Sequence, residues 1–425
     1  MRSIALDVHR DFCEVAIAEE RKVRFAGRVK TDPEALALFA GSLAATDEVT
    51  LEATGNALAI ARIIEPHVAR VVLANPRAVR GSASSALKTD KVDARTLARL
   101  LAGGLLPEVW LPDERTRRLR RLVSRRAQLV RQRTRAKNQV HAALIRNLKA
   151  RQPMRDLFGS AGRRWLAEQE LPADEQETVA SCLREIDFLA DEIELLEGSM
   201  SLEVLRCEQM RRLLSLPGIS GVAACTVIAA IGDIARFPDA RHLVGYFGLN
   251  PKVRQSGSEK PRHGRISKQG PGEVRHVLVE AAWHAMRTPG PLRIFGERIA
   301  AKRGSNVAVV AVARKLVVIA WNMLTKGEDY AFTRPSLVRE KIRRLELLTG
   351  SGRKRGERGP TPIYASRTQR NLELDLARQA ERAYQRLVTD WRPAIRKGAG
   401  AAPGRASSAV ERQAARQETA PPPAL

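Results

Sequence analysis

Four carboxylates, Asp7, Glu52, Asp90 and Asp93, stand where acids can do chemistry. Asp7 closes the apolar run SIALD and Glu52 closes VTLE, so both fall at the ends of expected strands. Asp90 and Asp93 lie in KTDKVDARTLARLL, at the start of a strongly helical stretch, and their spacing puts them on one helix face. Acids brought together from separate elements suit Mg²⁺, with Mn²⁺ as the alternative, because such hard ions take oxygen ligands and keep several waters. Two ions roughly 3.5–4 Å apart stabilise the attacking and leaving oxygens of a phosphoryl transfer. Each acid alone has a plainer use: Asp90 as a helix cap, Asp93 as a first-turn acid on the helix dipole, Asp7 as a strand-end turn residue. Their conjunction in a basic chain points instead to one metal site.

The remaining composition indicates what such a site acts on. The chain has 425 residues with 73 Lys and Arg against 47 Asp and Glu, a net charge of +26. That imbalance favours a phosphate backbone over acidic proteins or neutral ligands. Cys13, Cys182, Cys207 and Cys225 form no CxxC pair, so they read as buried thiols in a reducing compartment. Asp7 and Asp11 interrupt what a signal peptide needs as an apolar core, so a cytoplasmic location is expected. The longest apolar run (307–321) contains Arg314 and Lys315 and reads as too short to span a bilayer, so no membrane is expected.

The elements that must position the acids follow from periodicity. Residues 1–111 read as three meandering strands, then helix, strand, helix, strand, helix, a mixed α/β arrangement. Residues 112–204 read as two long helices of opposite charge, an antiparallel hairpin or a coiled-coil contact between protomers. The first carries thirteen Lys or Arg between Arg115 and Lys149 and no acid, a run expected to repel itself unless a polyanion lies against it. Lys88, Arg125, Arg126, Arg133 and Lys137 are the cations expected to meet nucleic acid there and beside the acids. Residues 205–340 form a second, mostly helical unit. Its LPGISG turn reads as a helix-hairpin-helix element offering Gly218 and Gly221 backbone N–H groups to a phosphate, or else as an ordinary packing turn. Residues 341–425 read as a basic, largely disordered tail with one helix over RNLELDLARQAERAYQRLV.

ALDVHRDF, LEATGN, ANPRAVR and KTDKVDARTLARLL together resemble the ribonuclease-H-like, RuvC-type domain of the DEDD transposases, the Piv-invertase-like family of bacterial insertion sequences. LLSLPGISGVAACTVIAAIGDIARF, LVGYFGLNP, VRQSGSEKPRHGRISKQGPGEVRHVLVEAA and VAVARKLVVIAWNMLTKGEDY resemble the same family's C-terminal transposase domain. The resemblance spans about residues 1–335 in the family's order. It implies that Asp7, Glu52, Asp90 and Asp93 hold divalent metal and that a serine in a Ser-Gly motif, here Gln255-Ser256-Gly257, is the nucleophile. Ser256 would attack a DNA phosphate and leave a phosphoserine link, with Arg254, Lys260, Arg262, Arg265 and Lys268 neutralising the phosphate. Many relatives carry further glycine after the Ser-Gly pair, whereas Ser258-Glu259 follow here, so Ser258 is the alternative nucleophile. The resemblance also implies a structured guide RNA and a homo-oligomer (dimer or tetramer) that joins the serine to the carboxylates across protomers.

Three other readings compete. A junction-resolving endonuclease would use the same metals to activate water and form no covalent intermediate. An actin-like ATP-binding domain also opens with a strand ending in Asp, but His9-Arg10-Asp11 stands where its glycine-rich loop belongs. An architectural nucleic-acid-binding protein with a decayed metal site is opposed by the presence of all four acids.

Overall fold

The computed structural model describes residues 2–20, 22–76, 79, 90–257, 261–350 and 366–390. Lys88, Ser258 and Lys260 therefore lie outside the described residues, as do 351–365 and 391–425, where most of the expected tail disorder falls. The chain divides into two compact units, Met1–Pro112 and Asp113–Leu425.

The first unit is a six-stranded mixed sheet ordered β3-β2-β1-β4-β5-β6. Its strands are β1 (Ser3–Val8), β2 (Phe12–Glu19), β3 (Lys22–Lys30), β4 (Glu48–Glu52), β5 (Arg70–Ala74) and the two-residue β6 (Glu108–Val109). β1 runs antiparallel to β2 and parallel to β4, and β4 runs parallel to β5. Successive side chains on a strand point to opposite faces, which sorts β1 cleanly. Ile4 and Leu6 pack with β4 under α1 (Pro33–Gly41) and α2 (Ala57–Ile64). Ala5 packs with Ala16, Ala18 and Ala74 under α3 (Asp90–Ala102), through Ala94, Leu97, Ala98 and Leu101. The small alanines let α3 sit close to the sheet, and the same alternation turns Asp7 toward α3. A mixed sheet with helices on both faces is the α/β arrangement expected of a ribonuclease-H-like domain, with β6 as an unforeseen short edge strand.

The second unit is mostly helical. The basic helix α4 (Glu114–Arg146) and the acidic helix α6 (Ala173–Arg206) lie antiparallel, with the short α5 (Ser160–Ala167) between them in sequence. Arg118 meets Glu203, Arg126 meets Glu197 at 2.5 Å and Arg146 meets Glu175 at 2.8 Å, while Leu129 packs on Leu189 and Ile193. The expectation that only an external polyanion relieves the basic run is thereby corrected, because the acidic helix of the same chain neutralises part of it. A dense core then gathers α7 (Glu208–Leu213), α8 (Gly221–Ile231), α9 (Ala240–Tyr246), α10 (Gly272–Arg287) and α12 (Ser305–Lys326) around the fully buried Phe247. The apolar run read as too short for a bilayer belongs to α12, whose 22 residues are long and apolar enough by length and composition alone. Its Val312, Ala313, Leu316 and Val317 are buried in this core.

The helix expected in the tail forms as α14 (Arg367–Asp390), and residues 341–350, read as tail, instead complete α13 (Pro335–Leu348) and its end. α14 is tied down by two buried acids. Glu373 accepts from the Ser336 backbone N–H at 3.0 Å, and Glu381 accepts from the Gly290 N–H at 2.8 Å. Both serve helix starts that have no side-chain cap of their own, those of α13 and α11 (Pro291–Arg303).

Candidate metal centre and serine hairpin

The acids converge because of register. Leu6 on β1 is level with Leu51 on β4, so Asp7 and Glu52, each the next residue, end side by side at the C-terminal edge of two parallel strands. Open α/β sheets commonly bind ligands at that edge. α3 starts there with Asp90 and Asp93 in its first turn. His9, two residues beyond Asp7, turns its Nε2 into the same space, 3.2 Å from Asp7 Oδ2 and 3.3 Å from Asp90 Oδ2. The turn holding His9 is fixed by its N–H to the Phe12 carbonyl, while Thr31 Oγ1 and Asn56 Nδ2 donate to the His9 carbonyl.

One donor atom each from Asp7, His9 and Asp90 lies within 4.8 Å of the others. His9 Nε2 is buried and lies between two carboxylates without forming a well-aligned hydrogen bond to either. Burial pushes the Asp7 carboxyl up to about 6; His9 opposes the shift, and the charges of Asp90, Asp93 and Glu52 add to it. Carboxylates crowded around the mostly buried Asp7, with an imidazole nitrogen between two of them, form a donor set that a divalent cation fits. Sequence reading passed over His9, although a residue two positions past a strand-end acid falls on the same side.

The serine belongs to the other unit. β7 (Pro251–Arg254) and β8 (Arg262–Ile266) form an antiparallel hairpin, anchored at its base by the Ser267 hydroxyl on Asn250 Oδ1 and by the Lys268 N–H on the Gly248 carbonyl. Gln255, Ser256 and Gly257 continue from the end of β7 and are exposed. Gly257 has φ +52°, a left-handed conformation that favours glycine directly after the serine. Ser256 has no hydrogen-bond partner among the described residues, and Arg254, Arg265 and Lys268 are exposed cations on the same ribbon.

The remaining expected nucleic-acid contacts are placed unevenly. Arg125 is exposed and, among the described residues, bonds Gln128 on its own helix, and Arg133 is half-buried. Arg126 is held by Glu197, and the Lys137 ammonium lies 4.7 Å from the centre of the Phe158 ring. Gly218 and Gly221 sit in close packing contacts. A Cβ at Gly218 would stand 2.4 Å from the Ala281 carbonyl oxygen, and one at Gly221 would stand 2.5 Å from the Leu345 side chain. Ser220 itself caps α8 by accepting from the Ala223 N–H. Gly218→Ala, at φ +79° and against backbone that cannot yield, is therefore expected to destabilise this unit by more than about 2 kcal/mol, read as a drop in its thermal midpoint. Gly221→Ala meets only a movable leucine end and is expected to be milder.

Comparison with known proteins bears on both sites. A DEDD transposase family model matches residues 4–147, a span holding all four acids. A second, described as transposase of the IS116/IS110/IS902 family, matches residues 210–295, a span holding the serine hairpin. A putative transposase, y4qE, of Sinorhizobium fredii is 30% identical over 291 residues, 66% of this chain and 70% of its own. The chain belongs to the IS110 transposase family. The transposase for insertion sequence element IS1328 of Yersinia enterocolitica is 28% identical over 297 residues, covering 67% of this transposase and 85% of that one. The pilin gene-inverting protein of Moraxella bovis is 29% identical over 121 residues, 28% of this chain and 37% of its own. The protein is thus a transposase, an enzyme that acts on DNA.

Proposed function

We propose that this transposase exchanges DNA strands with two sets of groups, a divalent-metal site of Asp7, Glu52, Asp90 and Asp93 and a nucleophilic serine, Ser256. The observation that carries it is the cluster of Asp7, His9 and Asp90, whose donor atoms lie within 4.8 Å of one another, with the charges of Asp93 and Glu52 near enough to raise the Asp7 carboxyl. A bound divalent ion (Mg²⁺ or Mn²⁺) supplies charge stabilisation on the phosphate oxygens. Asp7 and Asp90, with His9, hold it, and Glu52 and Asp93 complete the negative field. The Ser256 oxygen attacks phosphorus, the bond to the departing sugar oxygen breaks, and the phosphoryl group stays on serine until the hydroxyl of a second strand takes it. Bond energy is thereby conserved for rejoining, which suits inversion and transposition alike, and the inverting role of the Moraxella relative supports it.

In this scheme residues 1–111 carry the metal chemistry, 112–204 the paired helices and 205–340 the serine. Arg254, Arg265 and Lys268 neutralise the phosphate at the serine, with Lys88, two residues before Asp90 in sequence, and Arg125, Arg133 and Lys137 along the basic helix touching nucleic acid. A structured guide RNA selects the DNA, and a homo-oligomer pairs one protomer's acids with its partner's serine. The metal half is tested by thermal unfolding with Mg²⁺ or Mn²⁺. Stabilisation of about 2–3 kcal/mol is expected at ion concentrations near a hundredfold above Kd, and its absence at millimolar ion would overturn the metal site.

A further inference from the structure

The register that unites Asp7 with Glu52 continues across the sheet. Asp7 on β1 is level with Glu14 on β2, and Glu14 is level with Arg28 on β3. Glu52, Asp7, Glu14 and Arg28 thus form one row on the α3 side of four neighbouring strands. Strands lie about 4.8 Å apart, so the Arg28 backbone stands only roughly 10 Å from that of Asp7.

Glu14 is fully buried, and its Oε1 accepts from Arg28 Nε at 2.7 Å. Its second oxygen, Oε2, is buried without a partner among the described residues. The Arg28 guanidinium carbon lies 4.5 Å from the centre of the Phe12 ring, and that ring lies 4.9 Å from the ring of His9. One face of the guanidinium is therefore stacked and its Nε used. The side chain is still 59% exposed, and its two terminal nitrogens have no partner among the described residues.

Burying a carboxylate beside an acid cluster is expensive, and a surface arginine does not repay it as an ion pair. What Glu14 and Phe12 achieve is to hold a planar, permanently charged fork in one orientation next to the acids. A fixed guanidinium fork is matched to two oxygens of one phosphate. We propose that Arg28 binds a phosphodiester beside the metal centre, and that Glu14 is the positioning residue that aims it. The substrate's backbone is thereby fixed on the metal domain by a group outside the acid quartet. This rests on the metal site proposed above.

The test uses the full chain, Mn²⁺ and a thymidine dinucleotide carrying a single phosphodiester. Mn²⁺ binding is followed by electron spin resonance, and dinucleotide binding by Mn²⁺-induced broadening of its ³¹P line. Arg28→Gln is expected to keep its Mn²⁺ affinity while the half-saturating dinucleotide concentration rises about tenfold or more, the equivalent of one charged hydrogen-bonded contact. Glu14→Gln, which frees the guanidinium without removing it, is expected to cost about threefold. The double variant Glu14→Gln/Arg28→Gln leaves no unpaired buried charge and should match Arg28→Gln, so a folding defect from the orphaned acid is separated out. Unchanged dinucleotide affinity in Arg28→Gln, or no saturable broadening in the wild type, overturns the role of Arg28. Mn²⁺ binding that is absent from the wild type, or that survives Asp7→Asn, strikes instead at the metal site.

Discussion

Asp7→Asn is expected to abolish strand cleavage, by about 10³-fold or more, while making the metal-free protein more stable at neutral pH. The two effects share one cause. Asp7 is mostly buried, and the charges of Asp90, Asp93 and Glu52 press on it, so its carboxyl is held up to about 6. A carboxyl whose folded pKa is raised contributes stability in its protonated form. That contribution is complete below about pH 4, the unfolded value, and is lost as pH rises through about 6. At pH 7 the metal-free wild type therefore carries an unfavourable charge of about 2–3 kcal/mol, which Asn removes. Thermal unfolding in a chelator should show the wild type losing stability between pH 4 and 7 and the Asn variant losing less. Added Mg²⁺ should reverse the order above pH 6 and have little effect below it, because proton and cation compete for the same oxygens. A wild type and variant with the same pH profile would show that Asp7 is not under that repulsion.

Ser256→Ala is expected to remove joined recombination products completely, with folding, metal-induced stabilisation and nucleic-acid association intact. The side chain is exposed at the end of a ribbon and makes no hydrogen bond among the described residues, so its loss costs the fold nothing measurable. Losing the nucleophile removes the covalent route altogether, and no neighbouring group substitutes for it without shifting the attacking oxygen. Ser258→Ala is the decisive companion. Activity retained there and lost in Ser256→Ala fixes the assignment, and the opposite pattern moves it to Ser258. Recombination scored in cells on the element's own ends, with the protein level checked, provides the comparison.

The strands and helices that carry the acids were legible because alternation in SIALDVH and CEVAIAEE, and the periodic apolar face of DARTLARLL, leave little choice of element. That Asp7 and Glu52 fall at strand ends was equally plain. Register was not, since it depends on which strands pair. The alignment of Glu14 and Arg28 with Asp7 was therefore invisible, and nothing in the sequence set His9 apart. The packing role of the turn glycines was equally hidden, since the groups that crowd Gly218 and Gly221, the Ala281 backbone and the Leu345 side chain, lie far along the chain. Arg126, expected to meet nucleic acid, is likewise paired with Glu197, a residue 71 positions further along. Charge totals along a helix say nothing about which face has a partner.

The central claim, that strand exchange passes through a serine–phosphate bond supported by the metal centre, is most directly tested by trapping that bond. Full-length protein is incubated with labelled DNA of the element ends, its flanking structured RNA and Mg²⁺, then denatured, resolved and digested for mass spectrometry. A labelled protein band, absent with chelator and in Asp7→Asn, with a nucleotide phosphate on the Ser256 peptide, is the predicted result. Cut DNA with no protein-linked label at any time point would contradict it and favour hydrolysis by the metal site alone.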